Sequence, residues 1–144
     1  MAKSAFSEDQ LQAIEAAIAQ AELKTSGELR VHIESRCKED VMDHAAALFE
    51  ALRMQETAER NGVLIYLAVD DHKFAILGDA GIHARVPHGF WDDAYAQSLP
   101  HLRHENWTKG LIAAIEAAST ALAAHFPCRE NDVNELNDTI SFGP

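Results

Sequence analysis

Two carboxylates in the sequence are spaced so that they could bind a divalent cation. Glu28 opens a predicted strand, and Asp79 closes a later strand that runs in the opposite direction. Because an antiparallel strand ends where its parallel neighbours begin, we expect Glu28 and Asp79 at the same end of the sheet. Carboxylate oxygens are the ligands that Ca²⁺ and Mg²⁺ prefer. The sequence therefore predicts a metal site at this end, with the alternative that each residue is only an exposed charge or a turn former.

A second pair of carboxylates, Asp70 and Asp71, follows a predicted strand at the opposite end of the sheet. Open α/β sheets usually bind ligands beyond the carboxyl ends of their parallel strands, so this pair is the alternative metal site. The segment 70–72 also has the composition of a polar hairpin turn, and we favour that structural interpretation.

No other residue pattern predicts a complete catalytic set. His101 and His104 are spaced to share a helix face. Zinc needs three or four nitrogen or sulfur ligands, however, and no third ligand is placed, so we interpret both as solvated histidines. The sequence also lacks the phosphate-binding loop, the nucleophile elbow, the zinc-protease helix and the dinucleotide fingerprint.

One apolar hairpin organises the elements that must position the carboxylates. Residues 63–69 carry no polar side-chain group apart from the Tyr66 hydroxyl, which is typical of a strand covered on both faces. The polar residues 70–72 form the break, and residues 73–77 lead back as a second strand. We expect the alternate residues of the first strand to face two helix layers: Leu64, Tyr66 and Ala68 on one side, and Val63, Ile65, Leu67 and Val69 on the other.

The remaining segments predict one further strand before the hairpin and several helices. Residues 28–34 alternate apolar and polar side chains, which indicates a strand with one wet or partly covered face. A strand, a helix and a strand in this order form a crossover between parallel neighbours. We therefore predict an α/β fold: a three-layer α/β/α sandwich with a small mixed sheet of three to four strands, helices on both faces and the strand 63–69 in the interior.

Local signals give the expected helix ends. Helices should begin after Ser7, after Asp40 or Asp43, at Phe90 and after Thr108. Pro100 should break or kink the third of these helices at the preceding residue. Residues 81–86 are expected to add a short strand.

The chain is predicted to form a single domain, residues 1–127, followed by a polar tail, residues 128–144. The tail shows no helical or strand periodicity and should be extended or mobile. Its apolar residues Leu136, Ile140 and Phe142 could still dock on the domain, either as a strand added to an open sheet edge or in a groove.

Composition excludes some classes of partner. The formal net charge of −11 opposes non-specific binding to nucleic acid, which requires a basic surface. No apolar run approaches the length of a membrane span, and the N-terminal residues have no apolar signal core, so a cytoplasmic location without a membrane anchor is expected. Cys37 and Cys128 are expected to be reduced thiols.

The sequence resembles the TPM domain family. The resemblance rests on the hairpin NGVLIYLAVDDHKFAILGDAGI, on Trp91 at the start of the next helix, on Gly110 in a late apolar helix, and on the closing segments LAAHFP and NELNDTISFG. It implies an α/β/α sandwich. The family includes a plant thylakoid protein with acid-phosphatase activity, associated with photosystem II repair, and bacterial members that bind divalent metal. Most members carry a signal peptide and a membrane anchor.

Three functions are compatible with these observations. The first is a small binding or interaction domain without complete catalytic machinery, whose protein or small-molecule partner the sequence does not name. The second is a domain that binds Ca²⁺ or Mg²⁺. The third, implied by the resemblance alone, is a weak metal-assisted acid phosphatase. We favour the first because no complete catalytic set is visible.

Overall fold

The computed structural model describes residues 2–128 and 140–143, and the structural statements below concern those residues. A short 3₁₀ helix, Ala2–Ala5, precedes the first α-helix. The α-helices are α1 (Glu8–Glu22), α2 (Val41–Ala51), α3 (Ala80–His83), α4 (Phe90–Arg103) and α5 (Trp107–His125). The strands are β1 (Glu28–Glu34), β2 (Gly62–Ala68), β3 (Lys73–Gly78) and β4 (Ser141–Phe142).

The sheet is mixed and has four strands in the order β3-β2-β1-β4. β1 runs parallel to β2 and to β4, and β3 runs antiparallel to β2. Helices lie around this open sheet, which confirms the predicted α/β sandwich and the interior position of the central strand.

The two faces of β2 belong to two separate hydrophobic clusters. Val63, Ile65 and Leu67 lie in the larger cluster, which includes buried residues of α1, α4 and α5. Leu64, Tyr66 and Ala68 lie in the smaller cluster, with Ala45 and Phe49 of α2. This division confirms the predicted assignment of alternate residues to two helix layers.

Side-chain caps fix the starts of the first two α-helices. Ser7 and Gln10 form a reciprocal capping box at the start of α1, with N–O distances of 2.9 and 3.1 Å. The Asp40 carboxylate accepts hydrogen bonds from the backbone N–H groups of Met42 and Asp43, so Asp40 rather than Asp43 caps α2.

Three local predictions need correction. Residues 81–86 form no strand, because the Asp79 carboxylate caps the short helix α3. Of the break or kink predicted at Pro100, the break is absent, since α4 continues to Arg103. The helix bond that the proline removes belongs to the carbonyl of the exposed residue 96, where solvent can replace it. Asn106 rather than Thr108 caps α5.

The last described segment docks on the domain. Ile140 and Phe142 are partly buried against the larger hydrophobic cluster, and the Lys3 ammonium lies 5.8 Å from the centre of the Phe142 ring. Docking of these two residues is therefore confirmed, whereas Leu136 lies outside the described residues. Within the described residues, no helix has the length and apolar character needed to cross a membrane.

Candidate functional site

A buried cluster of polar side chains lies near the carboxyl end of the parallel strands β1 and β2. Glu34 is at its centre and is only 8% exposed. One carboxylate oxygen lies 3.0 Å from Nε2 of His32, a residue of the same strand. The other accepts the Tyr66 hydroxyl at 2.6 Å and lies 2.8 Å from Nε2 of His44 on α2. The sheet and the helix covering it thus direct three hydrogen-bonding groups to one carboxylate.

The contacts around the cluster hold its two imidazoles in place. The His32 ring stacks on the Tyr66 ring, with the ring centres 6.1 Å apart, and the His44 ring meets Tyr66 edge-on at 5.3 Å. Nδ1 of His44 lies 2.5 Å from a carboxylate oxygen of the exposed Glu39. His44 is therefore placed between two carboxylates, whereas His32 contacts one.

The environment moves the pKa values of the two histidines in opposite directions. Burial lowers the pKa of His32, and it outweighs the hydrogen bond and charge of Glu34. Burial would also lower the pKa of His44, but the hydrogen bonds and charges of Glu39 and Glu34 outweigh it and raise that pKa. Near neutral pH we therefore expect a neutral His32, while His44 gains its proton more readily.

Glu34 and Tyr66 are each held in a single protonation state. Burial would raise the pKa of Glu34, but hydrogen bonds from Tyr66, His32 and His44 together hold it below its ordinary value. Burial, followed by the hydrogen bond to Glu34, raises the pKa of Tyr66. The cluster thus contains an ionised carboxylate that accepts hydrogen bonds and a phenol that remains a donor.

β4 closes one side of this cluster. Its residues Ser141 and Phe142 pair with His32 and Ile33, and the N–H of Gly143 donates to the Ile33 carbonyl at 2.9 Å. The Ser141 hydroxyl lies 2.7 Å from Nδ1 of His32. Since Nε2 of the neutral His32 donates to Glu34, Nδ1 is the acceptor for that hydroxyl. A Cβ added to Gly143 would lie 2.5 Å from Cγ of Glu34, so this position requires glycine.

The hydrogen-bonding groups of the cluster are engaged with one another and with β4. Both Glu34 oxygens already accept hydrogen bonds. Among the described residues, Ser141 of β4 is the one serine, threonine or cysteine whose side chain is held against either histidine, as a nucleophile would be. The segment that contacts the cluster is β4, an extended backbone that carries the hydroxyl side chain of Ser141.

The alternative site, Asp70 and Asp71, acts as a turn that holds the β1–α2 loop. The Asp71 carboxylate accepts the backbone N–H of Cys37 at 2.8 Å. The Lys73 ammonium donates to the carbonyls of Cys37 and Glu39 at 2.8 and 3.0 Å. Asp70 is exposed in the turn, and its backbone N–H donates to the Ser35 carbonyl. These contacts position Glu39 beside His44.

The predicted pair, Glu28 and Asp79, does lie at one end of the sheet. Glu28 pairs with Gly62 in the β1–β2 ladder, and the backbone N–H of Asp79 donates to the Gly62 carbonyl at 2.8 Å. Both side chains are buried. The Arg60 guanidinium donates to both Asp79 oxygens, at 2.7 and 2.8 Å, so this carboxylate already has a counter-charge.

Comparisons with known proteins show the family of this chain. The profile of the TPM domain matches residues 2–121. The chain belongs to the TPM domain family. The NMR structure of the BA42 protein from the psychrophilic bacterium Bizionia argentinensis is similar to this TPM domain over 96% of this chain and 95% of that one, with 43% identity and a TM-score of 0.89. A search of curated proteins found no match.

Two more distant structures share the fold of this TPM domain. The N-terminal domain of the cg2496 protein from Corynebacterium glutamicum has 16% identity and a TM-score of 0.67, over 92% of this chain and 82% of that one. The N-terminal domain of a P. gingivalis protein has 20% identity and a TM-score of 0.66, over 87% and 83%.

Metal binding by this TPM domain stays a prediction. Among residues 2–128 and 140–143, no group of three or more histidine, cysteine, aspartate or glutamate side chains is arranged to hold a metal ion. A cation at Glu28 and Asp79 would have to draw further oxygen ligands from backbone or water and compete with Arg60 for Asp79.

The metal hypothesis predicts a specific effect on thermal stability. Millimolar Ca²⁺ or Mg²⁺ should raise the melting temperature more than NaCl of equal ionic strength does. Asp79→Asn should remove the difference, and Arg60→Gln should enlarge it because the competing cation is gone. Differential scanning fluorimetry measures all three. Equal responses to divalent and monovalent salt would show general screening of the negative charge and would retire the hypothesis.

The sequence contained a weak signal for the Glu34 cluster. His32 and Glu34 lie on the polar face of β1, which is predicted to be wet or partly covered, and both residues are buried. Tyr66 is the one hydroxyl in the apolar strand and pairs with His32 in the ladder. If the register of β1 and β2 were known, the Tyr66 phenol would be predicted to lie beside His32 and Glu34. The position of His44 depends on how α2 packs on the sheet, and no local sequence pattern specifies that packing.

Proposed function

We propose that this TPM domain is a binding domain that recognises an extended peptide segment at the edge of β1, the position that its own residues 140–143 occupy. The single observation that carries the proposal is the seating of β4. The two-residue parallel strand β4 places its serine on the buried His32–Glu34 network, and Gly143, which follows the strand, lies against Glu34. Strand addition to a sheet edge is a common mode of peptide recognition, in which backbone bonds supply affinity and side-chain contacts supply specificity.

The contacts of β4 define the sequence that the site prefers. His32 accepts a hydroxyl, which favours serine or threonine at the position of Ser141. The partly buried Phe142 beside Lys3 favours an aromatic residue at the next position. The close approach of Glu34 favours glycine after that. The expected ligand is therefore a segment with a hydroxyl residue, an aromatic residue and glycine in succession.

The chain's own segment is suited to being displaced. Within the described residues, β4 pairs with two of the seven residues of β1, so the ladder described there is short. A tethered segment competes through its high effective concentration rather than through strong contacts. A partner that makes more contacts with the same edge can therefore replace it, and the domain would change partners without unfolding.

Metal-assisted phosphatase activity is the weaker candidate. It would need a metal-bound water, and the proposed ligand Asp79 is held by Arg60. Hydrolysis of a generic phosphate ester with and without a chelator would test it.

A peptide titration tests the proposed function. Of the described residues in the two hydrophobic clusters, a chain ending at Cys128 loses Ile140 and Phe142 and keeps the rest, so it should fold. A peptide with the sequence of residues 137–144 is expected to bind it saturably in calorimetry. Replacing the serine with alanine should weaken binding about fivefold, since one hydrogen bond to His32 is lost. Replacing the glycine with alanine should abolish measurable binding.

The alanine-for-glycine peptide is the matched control, because it retains the other contacts. If the shortened chain is folded by circular dichroism and binds neither peptide, or binds both equally, the proposed recognition site is wrong.

A further inference from the structure

A cleft on another part of the molecule has the properties of a small-molecule site. It lies between the β2–β3 hairpin and α4, and Trp107 at the start of α5 forms one wall. Its volume is about 230 Å³. A cavity of about 150 Å³ accepts one benzene molecule, so this cleft has room for an aromatic ring and a short chain. Its apolar lining comes from the four elements β2, β3, α4 and α5: Leu67, Phe74, Tyr95, Leu99, Leu102 and Trp107.

His72 lines the cleft and pairs with Glu105 beside it, and both residues have an unusual backbone conformation. His72 in the hairpin turn has φ 53°, and Glu105 in the α4–α5 loop has φ 55°. Their side chains pair, with Nε2 of His72 3.3 Å from a Glu105 oxygen, and the His72 ring meets Trp107 edge-on at 5.4 Å. Residues other than glycine rarely adopt positive φ, and such conformations are concentrated at ligand sites and switches.

One cation at the cleft has no carboxylate partner in the described part of the chain. Arg103 lines the cleft, and none of the ion pairs among residues 2–128 and 140–143 includes it. The neighbouring Glu105 is engaged by His72 and so does not balance it. The planar guanidinium is well suited to bind a carboxylate.

We propose that this cleft binds a small aromatic carboxylate. The ring packs against Trp107, Tyr95 and Phe74 inside the cleft, and the carboxylate pairs with Arg103 at its edge. An apolar concave surface with one well-placed charged group is typical of small-ligand sites. The site is independent of the β1 edge and of the peptide recognition proposed above.

The probe for this site is 4-phenylbutyrate, with 4-phenylbutan-1-ol as its uncharged counterpart. Both are titrated into the intact chain and followed by ¹H–¹⁵N NMR. The indole N–H of Trp107 is the reporter at the cleft, and that of Trp91, which donates to His83 and does not line the cleft, is the internal control. The Trp107 resonance is expected to shift saturably with the acid while that of Trp91 stays in place.

Two exposed arginines provide a matched pair of variants. Arg103→Gln should weaken binding of the acid about fivefold, to the level of the alcohol, because it removes one solvent-exposed ion pair. Arg36→Gln changes the net charge equally but lies away from the cleft lining, and it should leave the affinity unchanged. A Trp107 resonance that does not move up to the solubility limit of the acid would overturn the proposal. Equal affinities for acid and alcohol, unchanged by Arg103→Gln, would also overturn it.

Discussion

Glu34→Ala is expected to lower the free energy of unfolding by about 3–5 kcal/mol, because it removes the acceptor that three buried or part-buried donors share. The Tyr66 hydroxyl would then be left in the apolar core without that bond. Glu39→Ala is the matched control: it removes another carboxylate from His44, but an exposed one, and should cost less than about 1 kcal/mol. Urea unfolding of the two variants measures the difference. Similar losses for both would show that the cluster does not stabilise the fold.

The pH dependence of stability should separate the three titrating groups of the cluster. Glu34 has a lowered pKa in the folded chain, so its contribution is present above its ordinary value of 4.5 and lost as pH falls through the folded pKa. The lowered pKa of His32 adds stability above its ordinary value of 6.5 that is lost below it. The raised pKa of His44 adds stability below 6.5 that is lost as pH rises through its folded pKa.

The two histidines therefore give slopes of opposite sign on the two sides of pH 6.5, and the slope that belongs to Glu34 lies below pH 4.5. Glu34→Gln, which keeps the shape of the side chain but cannot ionise, should flatten that acid slope. An unchanged acid slope in this variant would contradict the assignment of the lowered pKa to Glu34.

Ile65→Ala is expected to lower the free energy of unfolding by about 2–5 kcal/mol. Ile65 lies in the central strand, is fully buried and belongs to the larger hydrophobic cluster. The substitution leaves a cavity between the sheet and the helices that cover it, and the close-packed surroundings cannot collapse fully into it. Ile65→Val removes only one methylene group and should cost about 0.5–1.5 kcal/mol. A loss below about 1 kcal/mol for the alanine variant would indicate that this face of the sheet is open to solvent.

The fold could be predicted because its strongest signals are local. An uninterrupted apolar strand such as β2 must be covered on both faces, and the polar break at residues 70–72 must turn the chain back. Those two facts give an interior strand, an antiparallel neighbour and two helix layers. The errors occurred where tertiary contacts override local signals. The Asp79 carboxylate caps α3, and within it the chain passes so close to the Glu59 carbonyl that a Cβ at Gly81 would lie 2.0 Å from it.

The candidate site was harder to predict because its residues come from distant parts of the chain. Register within the sheet brings Tyr66 beside His32, and only the packing of α2 brings His44 to Glu34. The same limit applies to Asp79. The strand direction predicted the position of Asp79 at the sheet end. The pairing of Asp79 with Arg60 depends on the left-handed backbone of Arg60 itself, φ 52°, which positions its guanidinium.

The peptide titration on the intact chain is the most direct test of the central claim, that residues 140–143 occupy a peptide-binding edge. The peptide of residues 137–144 should bind wild-type protein about tenfold or more weakly than it binds the chain ending at Cys128, because the tethered segment competes. In the intact chain, Gly143→Ala should expel that segment from Glu34 and restore the affinity of the shortened chain. Equal affinity of the peptide for wild-type and shortened chains, with no gain from Gly143→Ala, would contradict the account.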